Sequence, residues 1–136
     1  MPVRRIIRTN KAAISKAPLN QAVQIDNTLY ISGTLGIDPE TNKLVQGGVG
    51  PETRMALRNI SEILYAAGSD MTKVVMVTVL LQDISTFAQM NNVYKEFFQT
   101  NHPARMAYEV AQLPLKGAAV EIQAVAVVGD VVTSKL

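Results

Sequence analysis

Residues 118–128 form an apolar run that is interrupted near its start by one carboxylate, Glu121. Because alternate side chains of a strand share a face, this pattern predicts a strand with one core-facing set and an opposite set that contains Glu121. The core-facing set is Val120, Ile122, Ala124 and Ala126. Two interpretations stay open for the opposite face. Either its polar side chains simply meet water, or Glu121 and Arg105, sixteen residues earlier, form a small ligand site.

The pattern along the chain predicts strands, a helix, a strand, a second helix and final strands. The predicted strands cover residues 21–25, 29–35, 73–81, 104–110 and 118–128. The first two flank Asp26 and Asn27, which tolerate positive φ and suit a hairpin turn. Five basic residues between Arg4 and Lys16 precede the first acid. This basic segment is interpreted as the solvent side of a still earlier strand.

Two amphipathic helices complete the predicted fold. The first begins at Pro51 and ends at Gly68, and the second is capped by Asp83 or Ser85 and ends before residues 100–103. Two helices can cover only one face of a sheet, so the prediction is an α+β sandwich of two layers. The Val and Ala content of the strands favours subunits over water on the other face, and we expect an oligomer. Without a linker or composition break, one domain spanning residues 1–136 is expected.

The residue types exclude several kinds of chemistry. Without Cys, this chain can form no disulfide, supply no thiolate nucleophile and hold no iron–sulfur cluster. The one histidine, His102, is interpreted as a surface loop residue beside Pro103. Residues 47–50 precede a helix, as some phosphate sites do. However, Pro51 removes an amide donor and Glu52 adds negative charge, so a plain turn is expected there.

The apolar stretches do not predict a membrane protein. They are too short and too often interrupted by polar residues to cross a bilayer, and no charged-then-apolar signal segment opens the chain. A cytoplasmic location is expected, and the sequence does not distinguish it from additional mitochondrial or nuclear presence.

Several short motifs occur in order along nearly the whole chain. They are Arg4-Arg5-Ile6-Ile7, Pro18-x-x-Gln21-Ala22-Val23, Tyr30-Ile31-Ser32-Gly33-x-x-Gly36, Asn59-Ile60, Ala66-Ala67-Gly68, Val93-Tyr94, Pro103-Ala104-Arg105 and Val120-Glu121-Ile122. In this combination the sequence resembles the Rid (YjgF-like) family of reactive-intermediate deaminases. The resemblance implies a chorismate mutase-like fold, in which two helices back a mostly antiparallel sheet of about six strands. It also implies a homotrimer with clefts between neighbouring subunits.

The same resemblance implies an activity and a set of site residues. The activity is hydrolysis of 2-enamine and 2-imine intermediates, such as 2-aminoacrylate or 2-iminobutanoate, to the 2-keto acid and ammonia, without a cofactor or metal. Arg105 would bind the carboxylate of the imino acid through two parallel hydrogen bonds. Glu121 would activate the attacking water and return a proton to the leaving amine. Ser32 and Gly33 match the family segment that lines the pocket.

The chain departs from the family pattern within the substrate-binding set. Pro18-Leu19-Asn20-Gln21-Ala22 stands where most relatives with deaminase activity read Pro-Tyr-Ser-Gln-Ala, and Thr34 stands where Gln is common. The loss of a hydroxyl at Leu19 predicts lower activity or a preference for larger, more apolar imino acids.

Other functions also stay open. One is a metabolite-binding regulator that uses the same cleft without turnover. Another, which the resemblance brings in, is a translation inhibitor or ribonuclease that binds RNA through the basic amino-terminal segment. The alternative for Arg105 and Glu121 themselves is an ion pair that only joins two subunits.

Overall fold

The computed structural model describes all 136 residues, Met1–Leu136. The strands are β1 (Arg4–Ile7), β2 (Ala22–Ile25), β3 (Thr28–Leu35), β4 (Ile37–Asp38), β5 (Lys43–Leu44), β6 (Val74–Leu81), β7 (Ala104–Glu109) and β8 (Val120–Val127), and the helices are α1 (Val49–Ala66) and α2 (Phe87–Phe97). Six strands form one sheet in the order β1-β2-β3-β8-β6-β7. All neighbours in this sheet are antiparallel except β6 and β7, which are parallel. The predicted α+β sandwich with a mostly antiparallel sheet is confirmed.

Both helices lie on one face of the sheet, as the pattern predicts. Helix α1 packs against β3, β8 and α2, and a cluster of 23 buried residues fills the space beneath the helices. Along β8, burial alternates as expected: the four predicted core residues are buried, Glu121 is half-buried and Gln123 is exposed. Neither helix is long and apolar enough to cross a membrane.

Most predicted element boundaries hold, with a few corrections. Asp26 has a φ of +50° in the β2–β3 turn, and Gly68, with a φ of +79°, follows the end of α1. Helix α1 begins at Val49 rather than Pro51, because Gly48 takes the preceding cap position. Residues 38–42 do form a turn, but it joins β4 to β5, two strands too short to leave a periodic pattern.

The predicted cap of the second helix is wrong. The Asp83 carboxylate does accept a hydrogen bond from the Ser85 N–H at 2.9 Å, but it caps a short 3-10 helix at Ile84–Thr86. Helix α2 begins only afterwards, at Phe87, and has no side-chain cap. A polar residue before an apolar pattern therefore marked the start of a turn rather than that of the α-helix.

The face of the sheet opposite the helices carries an apolar row that crosses all six strands. By register, its members are Ile6, Val23, Tyr30, Val125, Met76 and Ala104. The exposed side chains of this row include Ile6 at 57% and Tyr30 at 51% exposure. Continuous apolar surface of this kind is typical of a face covered by another protein chain. An oligomer stays a prediction, and this face is where it would form.

Candidate active site

Glu121 lies directly over a bulge in the neighbouring strand. The pairing of β3 with β8 shifts register between Ile31 and Thr34, so Ser32 and Gly33 lie at this irregularity. A Cβ built on Gly33 would collide with Oε1 of Glu121. Only glycine therefore leaves room for the carboxylate at this position, which gives a physical reason for the Ser-Gly pair in the motif.

A cavity of about 560 Å³ opens beside Glu121. Its lining includes Leu19, Ser32, Gly33 and Glu121, four of the five predicted site residues. Apolar side chains from residues 13–19 and from Pro114 and Leu115 form much of the remaining wall, and Lys16 is the one cationic residue in the lining. A polar base with apolar walls suits a small organic acid.

The loop that forms one wall of this cavity is held by two buried side-chain amides. Gln21 Oε1 accepts a hydrogen bond from the Thr9 N–H at 2.7 Å, and its Nε2 donates to the Ala13 carbonyl at 2.9 Å. Asn59, on α1, accepts from the Ala13 N–H at 3.2 Å and donates to the Ile37 carbonyl at 2.8 Å. Gln21 and Asn59 both belong to the sequence motifs, but the sequence alone assigns them no role. The only indication that they are buried is that each stands beside apolar residues in its motif.

Leu19 lies at the mouth of the cavity on a constrained turn. Its N–H donates to the Ala17 carbonyl at 2.7 Å, and the next residue, Asn20, accepts from Oγ of Ser32 at 2.6 Å. The Leu19 side chain is 48% exposed. The departure at this position therefore places a hydrocarbon, without a hydroxyl, at the cavity entrance.

The environment of Glu121 changes its acidity. Burial raises the pKa of this carboxyl above its ordinary value of 4.5, since the charged form loses solvation. No ion pair to a basic side chain opposes this effect, because the one salt bridge in the chain joins Arg54 to Glu96. The rise brings the pKa of Glu121 closer to neutral pH, and a general acid–base catalyst is most efficient when its pKa is near the pH at which it works.

Arg105 lies elsewhere. It pairs with the core residue Val77 in the parallel β6–β7 ladder, so its side chain points to the helix face of the sheet. Its Nη1 donates a hydrogen bond to Oδ1 of Asn91 at 2.7 Å. The guanidinium carbon is 4.6 Å from the ring centroid of Tyr94 and 5.5 Å from that of Phe87. Helix α2 thus orients the guanidinium through one hydrogen bond and two cation–π contacts.

Within one chain, the structure does not bring Arg105 and Glu121 together. Glu121 is on the helix-free face of β8, whereas Arg105 is on the helix face of β7, with β6 between the two strands. Arg105 is exposed and takes no part in the lining of the Glu121 cavity. The two side chains can meet only if a second chain contributes one of them.

Glu52 is the polar residue whose position the sequence misjudged. It was expected to place negative charge where an anion would bind at the start of a helix, yet it is 2% exposed and directed into the protein. Its Oε1 accepts a hydrogen bond from the Ala119 N–H at 2.7 Å. Burial raises the pKa of Glu52, and hydrogen bonds from the Ala119 and Val120 amides oppose that rise. The carboxylate is directed inward because its partners are the amides at the start of β8.

Three further observations concern polar side chains outside this cavity. His102 is exposed in the loop before β7, as expected. No group of three or more His, Cys, Asp or Glu side chains lies close enough to hold a metal ion. The hydroxyl of Tyr94 is buried and has no hydrogen-bond partner.

Comparisons with known proteins place these features in a wider context. The family model described as endoribonuclease L-PSP matches residues 9–128. A goat (Capra hircus) protein named 2-iminobutanoate/2-iminopropanoate deaminase is 56% identical over 134 residues, 98% of this chain and 97% of the goat protein. A human protein of the same name is 52% identical over 134 residues, again 98% of this chain and 97% of the relative. The structure of E. coli TdcF with bound serine matches with a TM-score of 0.86 and 34% identity, covering 92% of this chain and 99% of TdcF.

Proposed function

The chain belongs to the Rid (YjgF-like, endoribonuclease L-PSP) family, and from that premise we propose that it hydrolyses 2-imino acids such as 2-iminobutanoate and 2-iminopropanoate. The products are the 2-keto acid and ammonia. Relatives more than half identical over nearly the full chain carry the name of this activity. The observation that carries the proposal is the half-buried carboxylate of Glu121, seated over Gly33 at the base of a cavity that a small acid can enter.

Glu121 is proposed to move the proton in both halves of the reaction. First, a water oxygen bonds to the imine carbon while the carboxylate takes a proton from that water, and Glu121 passes this proton to the imine nitrogen, which gives a neutral carbinolamine. Next, the ionised carboxylate takes the hydroxyl proton of the carbinolamine as the carbonyl forms, and it gives that proton to the nitrogen as the carbon–nitrogen bond breaks and ammonia leaves. Burial brings the pKa of Glu121 closer to neutral pH, which favours a group that acts first as a base and then as an acid.

Arg105 is proposed to bind the carboxylate of the imino acid from a second copy of the chain. A guanidinium can donate two parallel hydrogen bonds to a carboxylate, which fixes its orientation as well as its place. Three observations support a site shared between chains: Arg105 and Glu121 lie on opposite faces, Arg105 is exposed yet oriented by α2, and the helix-free face carries an apolar row. The proposed assembly is a homotrimer with three such clefts, and light scattering after size exclusion measures its mass.

The test of the proposed activity is release of ammonia and 2-keto acid from freshly generated 2-iminobutanoate and 2-iminopropanoate. The wild-type chain is expected to accelerate release above the uncatalysed rate. Arg105→Ala is expected to lose most of kcat/KM while keeping the mass of the assembly. Lys16→Ala is the matched control, since Lys16 is the cation within the same chain's cavity. A loss in Lys16→Ala with normal Arg105→Ala turnover would overturn the assignment of the anchor.

A second candidate function follows from Leu19. A hydrocarbon at the mouth of the cavity supplies no hydrogen bond to a ligand or water, which favours a protein that binds imino acids or related metabolites without turning them over. Leu19→Tyr distinguishes the two functions. A large gain in kcat would indicate a weakened catalyst, whereas tight binding without turnover in both proteins would favour the regulator.

Two finer assignments belong to the same proposal. We place the activity in the cytoplasm, where tagged protein would be seen by microscopy, with mitochondria or the nucleus as alternatives.

An RNA-directed role would depend on Arg4 and Arg5, which are exposed on the edge strand β1. Binding that does not weaken with added salt would count against such a role.

A further inference from the structure

Glu52, in the first turn of α1, has a buried carboxylate that pairs with no cation. Its Oε1 accepts a hydrogen bond from the Ala119 N–H at 2.7 Å, and the Val120 amide also faces this carboxylate. The Ala119 carbonyl in turn accepts from the Gln82 N–H at 3.0 Å. Both backbone groups of Ala119 are therefore engaged, two residues before Glu121.

The backbone of Glu52 is itself fixed by close packing against Gly36. A Cβ built on Gly36 would lie 2.6 Å from the Cα and from the carbonyl oxygen of Glu52. Gly36 directly follows β3, the strand that carries Gly33. Helix α1 thus meets the end of β3 and the start of β8 at Glu52, whose backbone packs against Gly36 and whose carboxylate binds the Ala119 amide.

A carboxylate is a costly group to bury, and a packed apolar side chain would hold a core equally well. What a carboxylate adds at this junction is a directed acceptor for the backbone N–H groups where β8 begins. These are the amides that determine where the next side chains of β8 point. The chemistry of the residue therefore matches a role in placing Glu121 rather than in filling space.

We propose that Glu52 is a positioning residue for Glu121. By holding the Ala119 amide, it fixes the start of β8 and keeps the Glu121 carboxylate over Gly33, facing the cavity. This inference rests on the proposed function, since Glu52 acts only through Glu121. Misplacing a reacting group by about 1 Å can cost roughly 10²-fold in rate, so loosening this contact lowers kcat.

Two variants of Glu52 and one control test this role. Glu52→Asp keeps the charge but withdraws the carboxylate from Ala119 by one carbon–carbon bond. Glu52→Gln keeps the length and one oxygen acceptor, but presents an amide nitrogen to the second backbone donor. Glu62→Asp is the control, since Glu62 is on the same helix but lines a different surface pocket, with Lys11 and Arg58.

The measurements are kcat, KM and the pH profile of kcat for 2-iminobutanoate, each expressed per folded chain from circular dichroism melts. Glu52→Asp is expected to lose about 10-fold or more in kcat. KM changes little, because Arg105 lies on another strand. The pH profile shifts, because it reports the surroundings of Glu121. Glu52→Gln is expected to lose less, and Glu62→Asp to match the wild type.

Folded Glu52→Asp with a wild-type kcat and pH profile would overturn the inference, as would an equal loss in Glu62→Asp. If Glu52→Asp does not fold, Glu52→Gln decides, and a wild-type kcat and profile in that variant would overturn it. Absence of hydrolysis by the unsubstituted chain would instead overturn the proposed function. An active enzyme with unaffected Glu52 variants would overturn this inference alone.

Discussion

The two regions of the proposed site differ in one respect: a single chain forms the cavity at Glu121, whereas Arg105, at the edge of the sheet, lies outside that cavity. The Glu121 carboxylate is half-buried over Gly33, and the loop opposite it is held by two buried side-chain amides. Arg105 is exposed on an edge strand, oriented by α2 and outside the lining of the Glu121 cavity. One chain therefore preforms the proton-transfer part of the proposed site. A second chain would complete the part that binds the carboxylate.

The role of the Glu121 cavity is tested by removing the carboxyl group alone. Glu121→Gln keeps the size of the side chain over Gly33 but can neither accept nor return a proton. General acid–base catalysis contributes typically 10²–10⁴-fold, and kcat for 2-iminobutanoate is expected to fall by about that factor. KM should change little, because the proposed anchor is Arg105. Steady-state ammonia release measures both constants.

Glu62→Gln is the control for this variant, because it makes the same exchange on α1, at a side chain that lines a different pocket from Glu121. It is expected to leave kcat unchanged. Full activity of Glu121→Gln would show that another group moves the proton, and the Glu121 cavity would then lose its assigned part in the comparison.

Mixing two inactive variants tests whether the two regions come from different chains. Arg105→Ala alone is expected to lower kcat/KM by about 10²-fold, as suits the loss of two charge-assisted hydrogen bonds. When Arg105→Ala and Glu121→Gln chains are unfolded together and reassembled in equal amounts, roughly a quarter of the clefts receive both intact residues. Activity should rise to that fraction of the wild type. No recovery would mean that each site uses residues of one chain.

Gly33→Ala should disturb the Glu121 side of the comparison and leave the Arg105 side intact. The added methyl group collides with Oε1 of Glu121 and forces the carboxylate to move. Overpacking of this kind costs about 1–3 kcal/mol of unfolding free energy, and kcat should fall with little change in KM. Gly50→Ala is the control, because its new methyl group would meet only ordinary contacts, the nearest 3.5 Å away on Gln89. Thermal melts and kinetics separate the two effects.

How much of the site the sequence could predict depends on which contacts are local. The alternation along β8 and the Asp26 turn are local patterns, and they predicted the core face and the hairpin. The collision that makes Gly33 necessary depends on a register shift between strands far apart in sequence. The motif therefore located Gly33, and only the fold explains it.

The separation of Arg105 from Glu121 could not be predicted either. It depends on the parallel pairing of β7 with β6 at the edge of the sheet, and the sequence of a single segment does not determine the strand order. Glu52 was misjudged for a related reason. Its burial follows from amides 67 residues away, whereas the local pattern shows only an acid in a first helical turn.

The smallest expected effect is a change in how stability depends on pH. The folded pKa of Glu121 is raised above its ordinary value of 4.5, so the folded state binds more protons than the unfolded chain just above that pH. Unfolding free energy from this group therefore falls as pH rises through the folded pKa and is unaffected below the ordinary value. Asp70 and Asp83, with lowered pKa values, act in a separate window below their ordinary value of 3.8.

This pH dependence can show whether Arg105 of a second chain lies near Glu121. If a second chain brings that guanidinium into the cleft, its charge favours ionised Glu121 and reduces the fall of stability with rising pH. The assembled Arg105→Ala variant should then lose more stability than the wild type as the pH rises above about 4.5, while Glu121→Gln should lose less than either. Denaturant titrations across this range measure the three slopes. Equal slopes in wild type and Arg105→Ala would mean that the two charges never come close, and the two regions would have to be treated as independent surfaces.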